Sequence, residues 1–412
     1  MSRQAAAVSP VTPHEARGAA TVRPFNVLHT IRGLRVDGVV MVVLRNVTHA
    51  KSPEFRHHVC AMLPGGPMEP AFRERGIEPL TVRHAGPGTT VRSIRRLARI
   101  IRDRKIDLVH ANRTMDLGIA GMAAKLCGIP VVSSLHWLGR AEDHPEDADG
   151  GAWANAKRGL TVASNRLLAT KIIAVSAAVR DSFASFPGFP LDRTEVVHPG
   201  LEMRIAEIDP ARRASLRAEL GLDGAHPVLL NIGRLAPVKG QMHLLAVIER
   251  VRQRLPGARL LIAGQGPLRP ELERAIAAAN LTSAVTLLGS RSDVDDLLAV
   301  SDALVLASES EAAPLPPMEA MRAAKPVIAT NVGGVSEIVV DGVSGFVVPR
   351  GDAEALAAAV FRMFESPNTA ITMGEAGRAI AEERFDVAHS MRKTERIYRS
   401  ILGRASSPGG AP

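Results

Sequence analysis

At 412 residues the chain exceeds the ~100–200 typical of one domain, and 46% hydrophobic with 23% charged residues is the balance of a globular protein. No stretch approaches the ~20 continuous apolar residues of a membrane-spanning helix, and two cysteines, Cys60 and Cys127, are too few for a disulfide framework and lack metal-ligand spacing, as fits a reducing cytoplasm. The net charge of +9 suits anionic partners such as nucleotide diphosphates or acidic lipid headgroups, whereas one Tyr and two Trp leave few stacking platforms, so nucleic acid is not expected as a partner.

In chain order, residues 1–22 are rich in Ala, Pro, Ser and Thr and read as a disordered lead-in without a signal-peptide core. Strands are expected over 25–30, 57–63, 108–111, 131–135, 171–175 and 195–198, with helical periodicity over 93–105 and 118–126. The apolar run 39–44 also has strand length. An acidic, mobile-looking loop over 141–151, with Glu142, Asp143 and His144, is placed to help cover an acceptor. The pattern restarts near Val228 with strands over 228–232, 259–263, 285–288, 303–307, 327–330 and 345–348. Helices fit 241–254, 268–279, 294–300, 317–324 and 353–364. In the first of these Leu244, Ile248, Val251 and Leu255 form one apolar face, and Pro270-Glu271 opens the second. A last helix is expected over 387–402, before the polar tail 406–412. Short strands alternating with helices predict an α/β fold of two Rossmann-like domains, 23–205 and 227–386. A linker region covers 206–226, a C-terminal helix region 387–404, and a tail 405–412.

Two stretches carry chemistry. In the first, Asn231 to Gln241, a strand ends, Gly233 allows a close turn, and a helix begins after Gly240, with Arg234 and Lys239 beside its free N–H groups. That arrangement suits a diphosphate, although a loop with two solvated bases reads equally well from this stretch alone. The second runs from Ser308 to Met321. Glu311 falls in a loop and Glu319 in the next helix, and carboxylates accept paired hydroxyls such as those of a sugar or a ribose. Between them the backbone amides of Ala312, Ala313 and Leu315, around Pro314, are placed to hold a sugar or phosphate. Two acids at this spacing are otherwise ordinary surface charge.

Taken together these stretches give a resemblance over roughly residues 25–400. The chain resembles glycosyltransferase family 4, of the GT-B fold, in which two Rossmann-like domains face each other across a cleft. The motifs are Glu311-x7-Glu319, Gly233-Arg-Leu-x3-Lys239-Gly240, Ile262-Ala-Gly264-Gln-Gly-Pro267, Pro326-Val-Ile-Ala-Thr-x2-Gly-Gly334, Glu337-Ile and Asp341-Gly-x2-Gly345. The resemblance implies a retaining transferase that takes sugar from a nucleotide-diphosphate donor and needs no metal or other cofactor. Arg234 and Lys239 would bind the pyrophosphate, Glu319 the ribose hydroxyls, and Glu311 the donor sugar. His136, in Ser133-Ser-Leu-His-Trp137, resembles the family's strand-end histidine beside the sugar. The implied acceptor is a glycan or a lipid-linked precursor of a cell-surface polysaccharide.

The chain also departs from the family. Ala312-Ala313-Pro314 follows Glu311 where the family has Gly-Phe and then Gly or Pro, which leaves the donor sugar unassigned. The Gly-Gly-Ala-Glu turn of the first domain appears as Asp37-Gly38-Val39-Val40, so only Gly38 carries over. The late Asn-Gly is Pro199-Gly200. Two Asp-x-Asp sequences, Asp293-Val-Asp295 and Asp147-Ala-Asp149, read as a helix start and an acidic loop rather than metal sites. Gly264-Gln-Gly266 lacks the third Gly and distal acid of a dinucleotide fingerprint. The stretch 90–105, with Arg92, Arg95, Arg96, Arg99, Arg102, Arg104 and Lys105 opposite Ile94, Leu97 and Ile101, reads as a helix with its apolar side in the core; peripheral contact with an anionic membrane is the other reading. Rival functions are an epimerase or phosphorylase on the same scaffold, or a degenerate glycan-binding relative.

Overall fold

The computed structural model describes residues 23–84, 86–139, 152–204 and 208–403. The expected lead-in, tail and acidic loop, with Asp147 and Asp149, lie outside the described residues. Two fully parallel sheets are present, each with helices on both faces.

The first half runs β1 (Phe25–Ile31), α1 (Gly38–His49), β2 (Phe55–Ala61), α2 (Glu69–Arg73), β3 (Leu80–Thr81), α3 (Thr90–Asp103), β4 (Leu108–Ala111), α4 (Thr114–Leu126), β5 (Val131–Leu135), α5 (Ala152–Leu168), β6 (Lys171–Ala174), α6 (Ala177–Ala184) and β7 (Thr194–Val196). Its sheet order is β3-β2-β1-β4-β5-β6-β7. The second half runs α7 (Pro210–Glu219), β8 (Val228–Ile232), α8 (Gln241–Arg254), β9 (Arg259–Ala263), α9 (Arg269–Ala278), β10 (Val285–Gly289), α10 (Val294–Val300), β11 (Ala303–Leu306), α11 (Leu315–Arg322), β12 (Val327–Thr330), α12 (Val335–Ile338), β13 (Gly345–Val348), α13 (Ala353–Phe364), α14 (Pro367–Arg384) and α15 (Val387–Leu402). Its order is β10-β9-β8-β11-β12-β13. Strand order reverses between β1 and β4 in one sheet and between β8 and β11 in the other. At such reversals the loops leaving the C-terminal strand ends splay apart and open a ligand crevice.

Both faces of the second sheet are buried, one under Leu244, Ile248, Val251 and Leu272, the other under Met318, Met321, Leu297 and Phe385. This explains why its strands read as continuous aliphatic runs rather than alternating ones. In the first sheet, α3 and α4 cover one face through Leu97, Ala98, Ile101 and Leu117. The apolar side of α3 is therefore in the core, and the seven basic residues of 92–105 are exposed.

Two sequence expectations are corrected. The run 39–44 is not a strand but lies inside α1. Asp37 Oδ1 accepts from Val40 N at 3.0 Å as an N-cap, and Val40, Val43, Leu44 and Val47 pack at helical spacing. A short apolar run alone does not separate strand from buried helix. The region 206–226 is not a free linker, because Leu216, Leu220 and Leu222 of α7 and the loop after it are part of the second core. The chain crosses between the halves earlier, at Leu201, beside the return crossing: Leu201 N donates to Phe385 O at 2.7 Å and Val387 N to Leu201 O at 2.8 Å. After it, α15 packs on the first sheet, with Tyr398 and Ile397 among Val27, Phe55, Leu108 and Ile173.

Candidate active site

The second sheet supplies most of the charged groups at its switch point. β8 ends at Ile232, and the next loop lies backbone to backbone on the loop after β9. Gly233 N donates to Ala263 O and Leu235 N to Gln265 O, both at 3.0 Å. Gly264, at φ +154, is required there: a Cβ on it would stand 1.8 Å from Gly233 O. Gly240, at φ +62, likewise leaves no room for a side chain, since a Cβ would reach 1.9 Å from Ala307 O. This packing holds Lys239 against the loop after β11. Lys239 Nζ donates to Glu311 Oε1 at 2.7 Å, Ser308 Oγ donates to the same oxygen at 2.8 Å, and Glu309 N donates to Val238 O at 2.9 Å. Glu311 is only 8% exposed, so its charge needs these donors. An ammonium has three donors, which leaves Lys239 two for a ligand. Arg234 is exposed. Its carbonyl is held by Gln241 Nε2 at 3.0 Å, while its guanidinium has no partner among the described residues.

The loop after Glu311 turns toward the first domain. Ala312 O accepts from Ser176 Oγ at 2.6 Å, and Ala312 and Ala313 pack on the cluster of Leu138, Val179 and Phe183. Pro314 is the N-cap of α11, and Pro316 and Pro317 occupy its first turn, where a missing N–H is harmless. One turn on, Glu319 Oε1 accepts from Arg45 Nη2 of α1 at 2.7 Å. Glu337, behind the Gly333-Gly334 turn, accepts from the amides of Ala177 and Ala178 at 2.7 and 2.8 Å and pairs with His198 Nε2 at 2.8 Å. It thereby caps a helix of the other domain.

The switch point of the first sheet carries a different chemistry. Arg113, after β4, pairs with Asp37 at 2.5 Å, and Arg32, after β1, stands 3.9 Å from Asp116. Burial pushes the Asp116 carboxyl up to about 6 despite Arg32 and Arg113 nearby. His136, just past β5, lines a narrow pocket with Asn46, His110, Asn112 and His198. Its Nε2 is buried without a partner among the described residues, and burial, reinforced by Arg113, lowers its pKa to about 3, so the ring is neutral. His110 is fixed between Tyr398 OH at 2.6 Å and Ser134 Oγ at 2.7 Å.

Comparison with known proteins fits this two-edged arrangement. The family model "Glycosyltransferase Family 4" matches residues 36–204, and "Glycosyl transferases group 1" matches 212–380. The α-maltose-1-phosphate synthase of Mycolicibacterium smegmatis is 30% identical over 311 residues, covering 71% of this chain and 79% of that protein. The chain belongs to glycosyltransferase family 4. The α-D-kanosaminyltransferase of Streptomyces kanamyceticus is 27% identical over 289 residues, 68% of this chain and 73% of its own. In fold, the chain is similar to Anabaena HepE, solved with UDP and glucose: TM-score 0.81 at 22% identity, covering 92% of this chain and all of that one.

Within this family 4 glycosyltransferase, the structure brings Gly233, Arg234, Lys239, Gly264, Glu311 and the 312–315 loop to one strand edge, with Glu319 on the helix that follows. His136 lies on the opposite edge and makes no hydrogen bond to Arg234, Lys239, Glu311 or Glu319 among the described residues. Gly38 opens α1 rather than sitting in a turn, and a Cβ on it would be 3.8 Å from Leu315 Cδ1. Both acids of Asp293-Val-Asp295 are held by arginines, Asp293 by Arg291 and Asp295 by Arg322. No group of three His, Cys, Asp or Glu placed to hold a metal occurs among the described residues, and no helix there is long and apolar enough to cross a membrane. Sequence reasoning missed Arg45, Ser308, Ser176 and the role of Glu337. Ser308 lay inside a motif already singled out, and the Gly-Gly-x2-Glu spacing marked Glu337 without indicating its partner.

Proposed function

We propose that this glycosyltransferase takes its sugar from a nucleoside-diphosphate donor, retains the anomeric configuration, and delivers it to a glycan or lipid-linked acceptor. The observation that carries the reading is an Arg234 guanidinium without a partner among the described residues, in the same loop as Lys239 of the Lys239–Glu311 pair, with Glu319 on the following helix. When the sugar–phosphate bond breaks, its electrons pass to the diphosphate oxygen, and fixed cations beside that oxygen lower the barrier. Arg234 and Lys239 fill this role without a divalent ion. Glu311 takes donor-sugar hydroxyls, Glu319 the ribose, and the loop at Gly233 and Gly264 admits the pyrophosphate close to backbone. Neutral His136 offers a hydrogen bond to the sugar from the facing edge. HepE's complex with UDP and glucose supports a UDP-linked hexose as donor. The name of the maltose-1-phosphate synthase supports an acceptor that carries phosphate.

We also propose that the protein works peripherally at an anionic membrane. Among the described residues none of the seven basic residues of 92–105 makes an ion pair, and Val91, Met115, Met122, Leu126, Leu160 and Leu167, all on α3, α4 and α5, are exposed apolar side chains. Cosedimentation with phosphatidylglycerol vesicles but not phosphatidylcholine vesicles is the expected result, and equal recovery with both rejects it.

The donor reading is tested by thermal shift with UDP, GDP and ADP, each with and without magnesium. A ligand specific for the native state stabilises by about 2.7 kcal/mol at one hundred times its Kd. One diphosphate should raise Tm without metal, and the shift should vanish in Glu319→Ala. Proton NMR of the product then reads the anomeric configuration; inversion, turnover without acceptor to an epimer, or consumption of inorganic phosphate each rejects the mechanism.

A further inference from the structure

The residue that reaches Glu319 comes from the other domain. Arg45 lies on α1, whose contacts with the second half run along its length. Gly38 faces Leu315 at its start, and His49 Nε2 pairs with Glu202 Oε1 at 2.7 Å at its end. Between them Arg45 Nη2 donates to Glu319 Oε1 at 2.7 Å, with the two side chains 13% and 12% exposed. The other guanidinium nitrogen, Nη1, is buried and has no hydrogen-bond partner among the described residues. A buried charged donor left unmade is costly, so this atom is set for an acceptor that the described residues do not supply.

The charges around the pair indicate what kind of acceptor. Glu319 is balanced by Arg45, and Asp295 nearby is balanced by Arg322. Each carboxylate therefore has its own cation, and neither cation is left over to draw in an anion. What the pair leaves open among the described residues is one donor, Arg45 Nη1, and one acceptor, Glu319 Oε2, on the two partners of one ion pair. A vicinal diol, which can donate through one hydroxyl and accept through the other, is the complement of that arrangement.

We propose that Arg45 is a positioning residue for the donor ribose. It fixes the Glu319 carboxylate from across the domain interface and presents Nη1 to the second ribose hydroxyl, so the ribose site is complete only when both domains contribute. The inference rests on the donor reading above and extends it by a residue from the first domain. Because hydrogen bonds from an ionised donor are among the strong ones, losing this arm should cost about tenfold or more in affinity.

The experiment is calorimetric titration of the diphosphate, among UDP, GDP and ADP, that binds the wild type, together with inorganic pyrophosphate as a probe without ribose. Arg45→Ala should weaken the nucleoside diphosphate about tenfold or more and leave pyrophosphate within about twofold. Arg45→Lys, which keeps a point charge but not the fork, should recover part of the loss. In steady-state assays donor KM should rise with kcat little changed, and in a Glu319→Ala background the Arg45 change should have a smaller effect than in the wild type. Arg45→Ala binding the nucleotide as well as or better than the wild type overturns the inference, because the ion pair would then be a competitor of the donor. Equal losses for nucleotide and pyrophosphate, or additive effects in the double mutant, overturn it as well. If the wild type itself binds none of the diphosphates, the donor reading falls first and this inference falls with it.

Discussion

The two strand edges that face the cleft have the same topology and opposite character. On the second, from Gly233 to Glu319, loops are locked together backbone to backbone, and Glu311 is held by Lys239 and Ser308. On the first, buried polar atoms are left over: ten of the fifteen described buried side-chain atoms without a partner belong to the first half, among them Arg45 Nη1, Asn46 Oδ1, Arg113 Nε, Asp116 Oδ2 and His136 Nε2. An edge that binds one constant ligand can satisfy its own groups in advance. An edge whose ligand varies from one family member to the next keeps open donors and acceptors that only its particular ligand completes.

The largest expected effect tests whether that contrast separates donor from acceptor work. On the proposed mechanism Lys239→Ala removes a fixed cation beside the leaving group and should lower transfer by about 10²–10³-fold. Slow donor hydrolysis without acceptor should fall by a similar factor, since the same bond breaks. Arg113→Ala, on the other edge, should lower transfer and spare hydrolysis. Initial rates of nucleoside-diphosphate release with and without acceptor decide this. If both variants reduce hydrolysis alike, the division of labour between the edges is wrong.

A second contrast lies in pH response. Burial lowers His110 to about 3, with His136 and His57 adding repulsion, and burial takes His57 to about 4. A histidine held neutral in the fold takes up a proton on unfolding, so its penalty appears as pH falls below about 6.5 and grows toward the folded value. For His110 alone this amounts to about 2 kcal/mol at pH 5. The first sheet carries His29, His57 and His110 side by side, whereas the strands of the second sheet carry no histidine. Hydrogen exchange at pH 5, corrected for intrinsic rate, should therefore show β1, β2 and β4 losing protection before β8 to β12. Uniform loss across both sheets would remove the distinction.

These two edges also differ in how far the sequence reveals them. The strands 228–232, 259–263, 327–330 and 345–348 and the helices 241–254, 294–300 and 353–364 have the expected bounds, because doubly buried strands and amphipathic helices alternate there without interruption. In the first half the valine-rich run of α1 imitates a strand, and α5, α6 and the later α14 are helices that the sequence reading leaves unassigned. Site residues follow the same division. Arg234, Lys239, Glu311 and Glu319 are marked by short-range spacing within one domain. Arg45, 274 residues from Glu319, and Ser176, 136 from Ala312, are marked by nothing local. Their significance exists only once two separately folded edges meet.

The smallest predicted effect concerns the contact that joins the edges. Burial pushes the Glu337 carboxyl up, but the hydrogen bond from His198 and the amides of Ala178 and Ala177 outweigh it and hold the group below the usual carboxylate range. A depressed carboxyl stabilises the fold above its unfolded pKa and loses that contribution as pH falls through the folded value. Glu337→Gln keeps one acceptor oxygen for the amides and gives up the charge, so it should cost about 1 kcal/mol at pH 7, or roughly 2–4 °C in Tm for a domain of this size. The same substitution should cost progressively less at acid pH, where the wild-type group is itself protonated. Because Glu337 belongs to the second domain and its three donors to the first, the loss should also spread the melting transition, as the halves come to unfold less in concert. A calorimetric scan that keeps one sharp transition with unchanged Tm would mean that the edges are held together elsewhere, by Leu201 and α15 rather than by this carboxylate.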